Sequence, residues 1–288
     1  MDEQRIKFHT FLRGIILVGF TLFFYKLLLS NKISYFIAPK MYPFLYFTAF
    51  ILLILGILQI FNGTSEKSNV ICECCEDHGP PKTTFRSLFY YSLFIIPIFT
   101  GFLFSDHTLG SSVVENRQIQ YETKSPSQPS TKVSKNKESQ NTISSQPQEM
   151  SQKAYDTLQQ SLIAQKKIVV DDKVYMPTMS ILQENLDEFI GKEIETVGFV
   201  YREKDFKNNQ IVIARFVISC CIADASVYGI MAQGDIASLE NDTWIRVKGR
   251  LNKINYNDTT LPVLKIHSIE KIQEPKQPYV YDIAVKLD

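Results

Sequence analysis

Very little net charge is left once the ionisable residues of this chain are summed: 31 Lys and Arg stand against 30 Asp and Glu, leaving +1. A protein that grips nucleic acid carries a basic face or stripe, so this balance argues against a nucleic-acid binder. Catalytic signatures are missing too. There is no glycine-rich phosphate loop, no nucleophile elbow and no carboxylate pair in an enzyme-like setting, so the sequence does not read as an enzyme. Cysteine is scarce, five in 288 residues, and tryptophan occurs once, as Trp244. Few long apolar runs occur after about residue 105; nearly all lie before it. A polar tract follows, and then a segment of mixed composition, the profile of a membrane anchor, a linker and a soluble domain.

What is present begins with three apolar segments, predicted as helices over about 12–30, 42–61 and 85–104. Each approaches the roughly 20 mainly apolar residues that cross a bilayer. The first carries Lys26 near its end, placed to snorkel to the interface. Its apolar stretch exceeds a signal-peptide core and no small-residue cleavage site follows it, so it reads as a retained helix. The third contains Pro97, a candidate kink. With the N-terminus inside, Arg5, Lys7, Arg13, Lys67, Lys82 and Arg86 lie on the cytoplasmic side. Lys32, Lys40, Arg117 and Lys124 lie on the outer side. Six positive charges against four favour this orientation. The reading is a multi-pass protein of the bacterial cell membrane, with its N-terminus cytoplasmic and its C-terminal domain extracytoplasmic.

The link between the first two helices contains Tyr35, Phe36 and Ile37, which read as an interfacial segment at headgroup level. Residues 1–110 form the expected membrane domain. Residues 111–150, rich in Ser, Gln, Thr, Lys and Pro, bury too little apolar surface to offset their ordering entropy and are expected to be a disordered tether. Residues 151–288 make the soluble domain. "SQKAYDTLQQSLIAQKK" predicts a helix, and "KIVVDDKVYM" predicts two short strands turned at Asp171-Asp172. A helix is then expected from Pro177, with Gly191 as its stop. Five strand-like runs follow. Gly198 and Gly249 interrupt two of them, as at bulges or bent barrel corners. The fold class is therefore membrane α with three transmembrane helices, joined to an α+β, mostly β domain: a small barrel like the oligonucleotide/oligosaccharide-binding (OB) fold. The fold does not license its usual ligands, and Trp244 reads as a core or rim aromatic.

Two clusters carry candidate chemistry. "CECCEDH" places Cys72, Cys74, Cys75 and His78 within seven residues. Thiolates and imidazole suit zinc and other thiophilic ions, and cytoplasmic thiols stay reduced. The alternative is a polar loop with incidental cysteines. The second cluster is Cys220-Cys221 with Asp224, at the end of the run "IVIARFVISCC". In a continuing strand, neighbours face opposite ways, so one cysteine is expected in the core and the other at the surface. Three readings stand: core filling, a metal or redox site with Asp224 and His267 as a fourth ligand, and a vicinal disulfide. Asp106 and His107, after the third helix, read as interfacial polar residues.

The strings "YFIAPKMYPFLYFTAFILLILG", "CECCEDHG", "GKEIETVGFVY", "ARFVISCCIADA" and "WIRVKGRL" resemble the YcgQ-like family of bacterial membrane proteins across the whole chain except the tether. "ISCCIADA" is the most specific piece. Members are read as permease subunits, so the resemblance implies a polytopic membrane permease as partner. Family members often have a histidine-rich loop between the second and third helices. This chain uses mostly cysteine there, which changes the ligand chemistry. Three helices are too few for a secondary transporter built of repeats. The expected function is an accessory subunit of a permease that handles a zinc-like metal ion. The alternatives are an extracytoplasmic redox or sensor protein using Cys220-Cys221, and an envelope protein binding a polymer.

The charge count yields a first prediction. A membrane-impermeant thiol reagent applied to intact cells leaves Cys72, Cys74 and Cys75 unlabelled; labelling of those loop cysteines from outside reverses the orientation.

Overall fold

The computed structural model describes residues 2–64, 84–103, 108–117, 119–120, 149–256 and 259–286. It divides into two compact units, Met1–Phe36 with Met41–His107, and Ile37–Lys40 with Thr108–Asp288.

The first unit holds three helices, α1 (Asp2–Leu29), α2 (Tyr42–Thr64) and α3 (Thr84–Leu103). Segments Ile6–Leu29, Pro39–Thr64 and Phe85–Leu103 are long and apolar enough to cross a membrane. Small residues set the packing of α1 on α2, since lipid supplies no hydrophobic drive between helices. A Cβ on Gly14 would sit 2.9 Å from the Gly56 carbonyl, and one on Gly63 2.7 Å from the Phe11 amide. Two polar side chains of this unit find partners. His9 Nδ1 lies 3.0 Å from the Tyr91 hydroxyl. Lys26 donates to the Phe102 carbonyl at the end of α3 (2.8 Å), so its ammonium meets a helix C-terminus. Large side chains such as Phe44, Phe47, Phe61, Phe85 and Phe89 remain exposed, as a lipid-facing surface requires.

In the second unit, α4 (Ser111–Arg117) and β1 (Ile119–Gln120) precede the 121–148 tract, which lies outside the described residues. Part of the span read as a tether is thus regular structure. The Asp242 carboxylate caps α4 by accepting from the Ser111 amide and hydroxyl, each at 2.6 Å. Next come β2 (Glu149–Ser151), α5 (Gln152–Ala164) and β3 (Lys167–Val169). Ser151 caps α5 by accepting from the Ala154 amide.

The second strand expected in "KIVVDDKVYM" does not form. The Asp171 side chain accepts from the Lys173 amide and starts a short 3-10 turn, Asp172–Val174. This runs directly into α6 (Tyr175–Glu184), so Pro177 is its third residue and not its first. A separate α7 (Leu186–Phe189) follows a break at Asn185, and Gly191, at φ 85°, ends the helical region as expected.

Five strands then close a ring: β4 (Glu193–Tyr201), β5 (Gln210–Ile218), β6 (Ser226–Gln233), β7 (Trp244–Tyr256) and β8 (Thr259–Lys271). β4 pairs β5, β5 pairs β6, β6 pairs β8, β8 pairs β7 and β7 pairs β4. All are antiparallel except β6 with β8. This is the small OB-like barrel. Ile168, Ile194, Ile211, Ile213, Ile245, Val247 and Leu264 fill it, and Ile181, Leu182 and Phe189 from α6 and α7 pack into the same core. Gly249 sits at a register shift, where Lys248 faces Ser268 and Gly249 faces Ile266, leaving His267 as the extra residue of a bulge. Two short strands complete the unit: β9 (Tyr279–Tyr281), parallel to β5, and β10 (Ala284–Lys286), parallel to β2.

Trp244 is half-buried, edge-on to Phe199 and 5.4 Å beneath the Arg215 guanidinium. Arg215 is fully buried and makes a two-pronged ion pair with Asp172. As the single tryptophan, Trp244 reports on the barrel alone. A Cβ on Gly249 would lie 2.5 Å from the Lys265 carbonyl. Gly249→Ala therefore destabilises the barrel by about 2 kcal/mol, read as a lower midpoint of the Trp244 fluorescence transition in the purified full chain. An unchanged midpoint contradicts this packing.

Candidate metal centre

β5 stops at Ile218 because its pairing is exhausted there. Phe216, Val217 and Ile218 face Tyr279, Val280 and Tyr281 of β9, and the Asp282 amide closes the edge by donating to the Ile218 carbonyl. The Ser219 hydroxyl reaches the Asp282 carboxylate at 3.1 Å. The chain then turns through Cys220, Cys221 and a 3-10 turn, Ile222–Asp224, before β6 begins. This overturns the expectation that the cysteines continue the strand. With no alternation to obey, neither is in the core: Cys220 is exposed and Cys221 half-exposed. Both are free thiols, their sulfurs 3.8 Å apart, against about 2.05 Å in a disulfide.

Asp224 folds back into this turn. Its Oδ1 accepts from the Ser219 amide at 3.0 Å, and its Oδ2 from the amides of Cys220 (2.7 Å) and Cys221 (3.2 Å). Burial pushes its carboxyl upward, but the hydrogen bonds from the Cys220 thiol and these amides outweigh that and hold it below the usual carboxylate range. The opposite happens to Cys220. The Asp224 carboxylate, then the Cys221 sulfur, push its thiol up to about 11. At neutral pH it is a protonated thiol, the wrong state for a nucleophile or an exchanging redox thiol. A cation reverses that balance, because it replaces the proton beside an existing negative charge.

The Cys220 and Cys221 sulfurs and an Asp224 oxygen lie within 4.8 Å of one another. Two soft thiols and one carboxylate match the donor set of zinc and related ions. A zinc–sulfur bond of about 2.3 Å in a tetrahedron implies an S···S edge of about 3.8 Å, the separation found here.

His267 is not part of this cluster, which corrects its reading as the fourth ligand. β6 starts at Ser226, next to the cysteine turn, whereas Lys265 of β8 pairs with Gln233 at the far end of β6. Roughly 23 Å of strand, at about 3.3 Å per residue, separates His267 from the thiols; it instead lines a groove with Gly191, Arg250 and Lys265. Cys72, Cys74, Cys75 and His78 lie outside the described residues, as do Asp106 and His107.

Two neighbours of the turn were not anticipated. Arg117 Nη1 donates to the Ala225 carbonyl. Of the residues expected at the lipid interface, Tyr35 and Phe36 fall in the first unit, whereas Ile37 belongs with Ala38, Pro39 and Lys40 to the second. Ile37 bridges Cys221 in antiparallel fashion, and the Ala38 amide donates to the Cys220 carbonyl at 3.0 Å. The one local hint was an apolar run held between Pro39 and the first helix.

Comparison with known proteins shows that residues 12–120 match the DUF1980 N-terminal domain and residues 145–282 the DUF1980 C-terminal domain. The chain is similar to the UPF0703 protein YcgQ of Bacillus subtilis, 30% identical over 287 residues, which cover 93% of this chain and 98% of that protein. It is also 41% identical, over 120 residues, to a Streptococcus mutans protein whose name assigns it provisionally as a subunit of a two-component membrane permease complex. That match spans 41% of this chain and 44% of the relative.

The electrostatics of the turn make a direct prediction. Asp224→Asn removes the negative charge that keeps Cys220 protonated, so Cys220 alkylation by iodoacetamide at pH 8 accelerates about tenfold or more. Peptide-resolved mass spectrometry measures the rate; an unchanged rate means that Asp224 does not control the thiol.

Proposed function

The chain belongs to the DUF1980 family, and from that premise we propose that it is the accessory subunit of a two-component membrane permease, presenting Cys220, Cys221 and Asp224 as a capture site for zinc or another thiophilic ion. The observation that carries the reading is the convergence of those three donors in one surface turn. The permease role draws on the name of the Streptococcus mutans relative. It also draws on the chain itself: three candidate spans make an anchor and a docking face, not a transport pathway. The ion is cargo or signal here and not a catalytic cofactor. Cys72, Cys74, Cys75 and His78 would offer a second thiophilic site on the opposite side of the membrane.

The N-terminus is placed in the cytoplasm and the barrel outside, on the positive-charge balance. The unit containing Ile37–Lys40 also contains Thr108–Asp288. That grouping supports a link between the first two spans on the barrel's side, as three crossings require. Among the alternatives, a redox role is weakened by the upward shift of the Cys220 thiol. Polymer binding would rest on the barrel fold alone.

The test is zinc titration of the full chain in detergent, in a Cys72→Ser, Cys74→Ser, Cys75→Ser background that removes the loop thiols. One ion binds per chain. Adding Cys220→Ser and Cys221→Ser weakens it by more than the roughly 10–100-fold that losing an outer-shell partner costs, while the Trp244 unfolding transition is retained. Equal binding by both proteins contradicts the site. Pull-down of the tagged chain from its native membrane recovers a polytopic protein; recovery of the chain alone contradicts the subunit role.

A further inference from the structure

We propose that the Ile37–Lys40 segment is a positioning strap for the Cys220–Cys221–Asp224 site, so that ion binding in the turn and docking of the strap strengthen one another. This rests on the metal reading above and adds its regulation.

Cys220 has an exposed side chain, yet both polar groups of its main chain are held. Its amide is bound by the Asp224 carboxylate, four residues ahead. Its carbonyl is bound by the Ala38 amide, which comes from the chain between α1 and α2. The next residue, Cys221, is fixed in an extended conformation (φ −153°, ψ 169°) by its bridge to Ile37. Ala38 is 1% exposed, so its amide has no ready exchange with water. The two thiol-bearing residues therefore lie between two clamps, one local and one from a distant part of the sequence.

A short turn with exposed thiols would otherwise have to order its backbone when an ion arrives, and that entropy would be lost from affinity. The strap orders it beforehand. Coupling of this kind is reciprocal: if the strap raises ion affinity, a bound ion must raise strap docking by the same factor. Since the strap runs from the connection between two candidate membrane spans into the start of the second, Pro39–Thr64, occupancy of the turn becomes legible there. A strap that merely packed against the barrel would stabilise the fold without altering ion affinity.

The experiment uses the full chain in detergent with the three loop cysteines changed to serine, zinc as the probe, and two variants of Ala38. Ala38→Pro removes the donor, and its predecessor Ile37 sits in an antiparallel bridge, outside any helix. Ala38→Val keeps the donor at similar bulk. The strap predicts zinc binding roughly three- to tenfold weaker in Ala38→Pro than in Ala38→Val, the net worth of one main-chain hydrogen bond. It also predicts slower amide exchange of the Ile37–Lys40 peptide when zinc is added, with no slowing after Cys220→Ser and Cys221→Ser. If zinc binds but the two Ala38 variants match and exchange is unchanged, the coupling is overturned while the site stands. If zinc does not bind the parent chain, the site fails and the strap proposal fails with it.

Discussion

The hydrogen bonding of the Asp224 carboxylate is the interaction on which the Cys220–Cys221 turn depends. Three consecutive amides, those of Ser219, Cys220 and Cys221, leave the β5 ladder with no strand to pair with, and one side chain collects all three. Hydrogen bonds to a charged acceptor are stronger than neutral ones. They let the chain turn sharply between two buried strands without leaving orphaned donors. The same charge pushes the Cys220 thiol upward. Because the folded carboxyl is held below its unfolded value of 3.8, its contribution to stability is present above that value and is lost as pH falls through the lower, folded one.

The barrel makes such a turn possible by holding both of its ends. β5 and β6 pair along eight consecutive positions, from Gln210 with Gln233 to Val217 with Ser226, so the turn is anchored in the most regular part of the ring. β9 and the Ser219–Asp282 contact close one flank, and Arg117 holds Ala225 on the other. The strap then clamps Cys220 from outside. The result is two thiols and a carboxylate on a held rim, the arrangement in which binding costs little reorganisation.

Much of this was legible in the sequence, for identifiable reasons. The three candidate spans follow from length and composition alone. The helix opened by Ser151 and the stop at Gly191 are local signals that obey local rules. Gly249 announced a bulge because a side chain there would strike the neighbouring strand. The end of β5 was not legible. "IVIARFVIS" is β-branched to its last residues, and nothing in it says that pairing stops at Ile218; that depends on β9, some sixty residues later in the chain. "DDKVYM" misled because Asp171 acts as a cap, which outweighs a short alternating pattern. The strap left only a short apolar run before Pro39, since a bridge from Ile37 to Cys221 leaves no periodic trace. His267 was misplaced for a related reason: its position depends on the register of two long strands.

The central claim is that two adjacent thiols and a carboxylate form one coordination site. X-ray absorption at the zinc edge, on the full chain with the loop cysteines replaced by serine, tests it most directly. The account predicts two sulfur neighbours at about 2.3 Å, with the remaining ligands oxygen at about 2.0–2.2 Å. A spectrum with no sulfur neighbour, or with a single one, would contradict it.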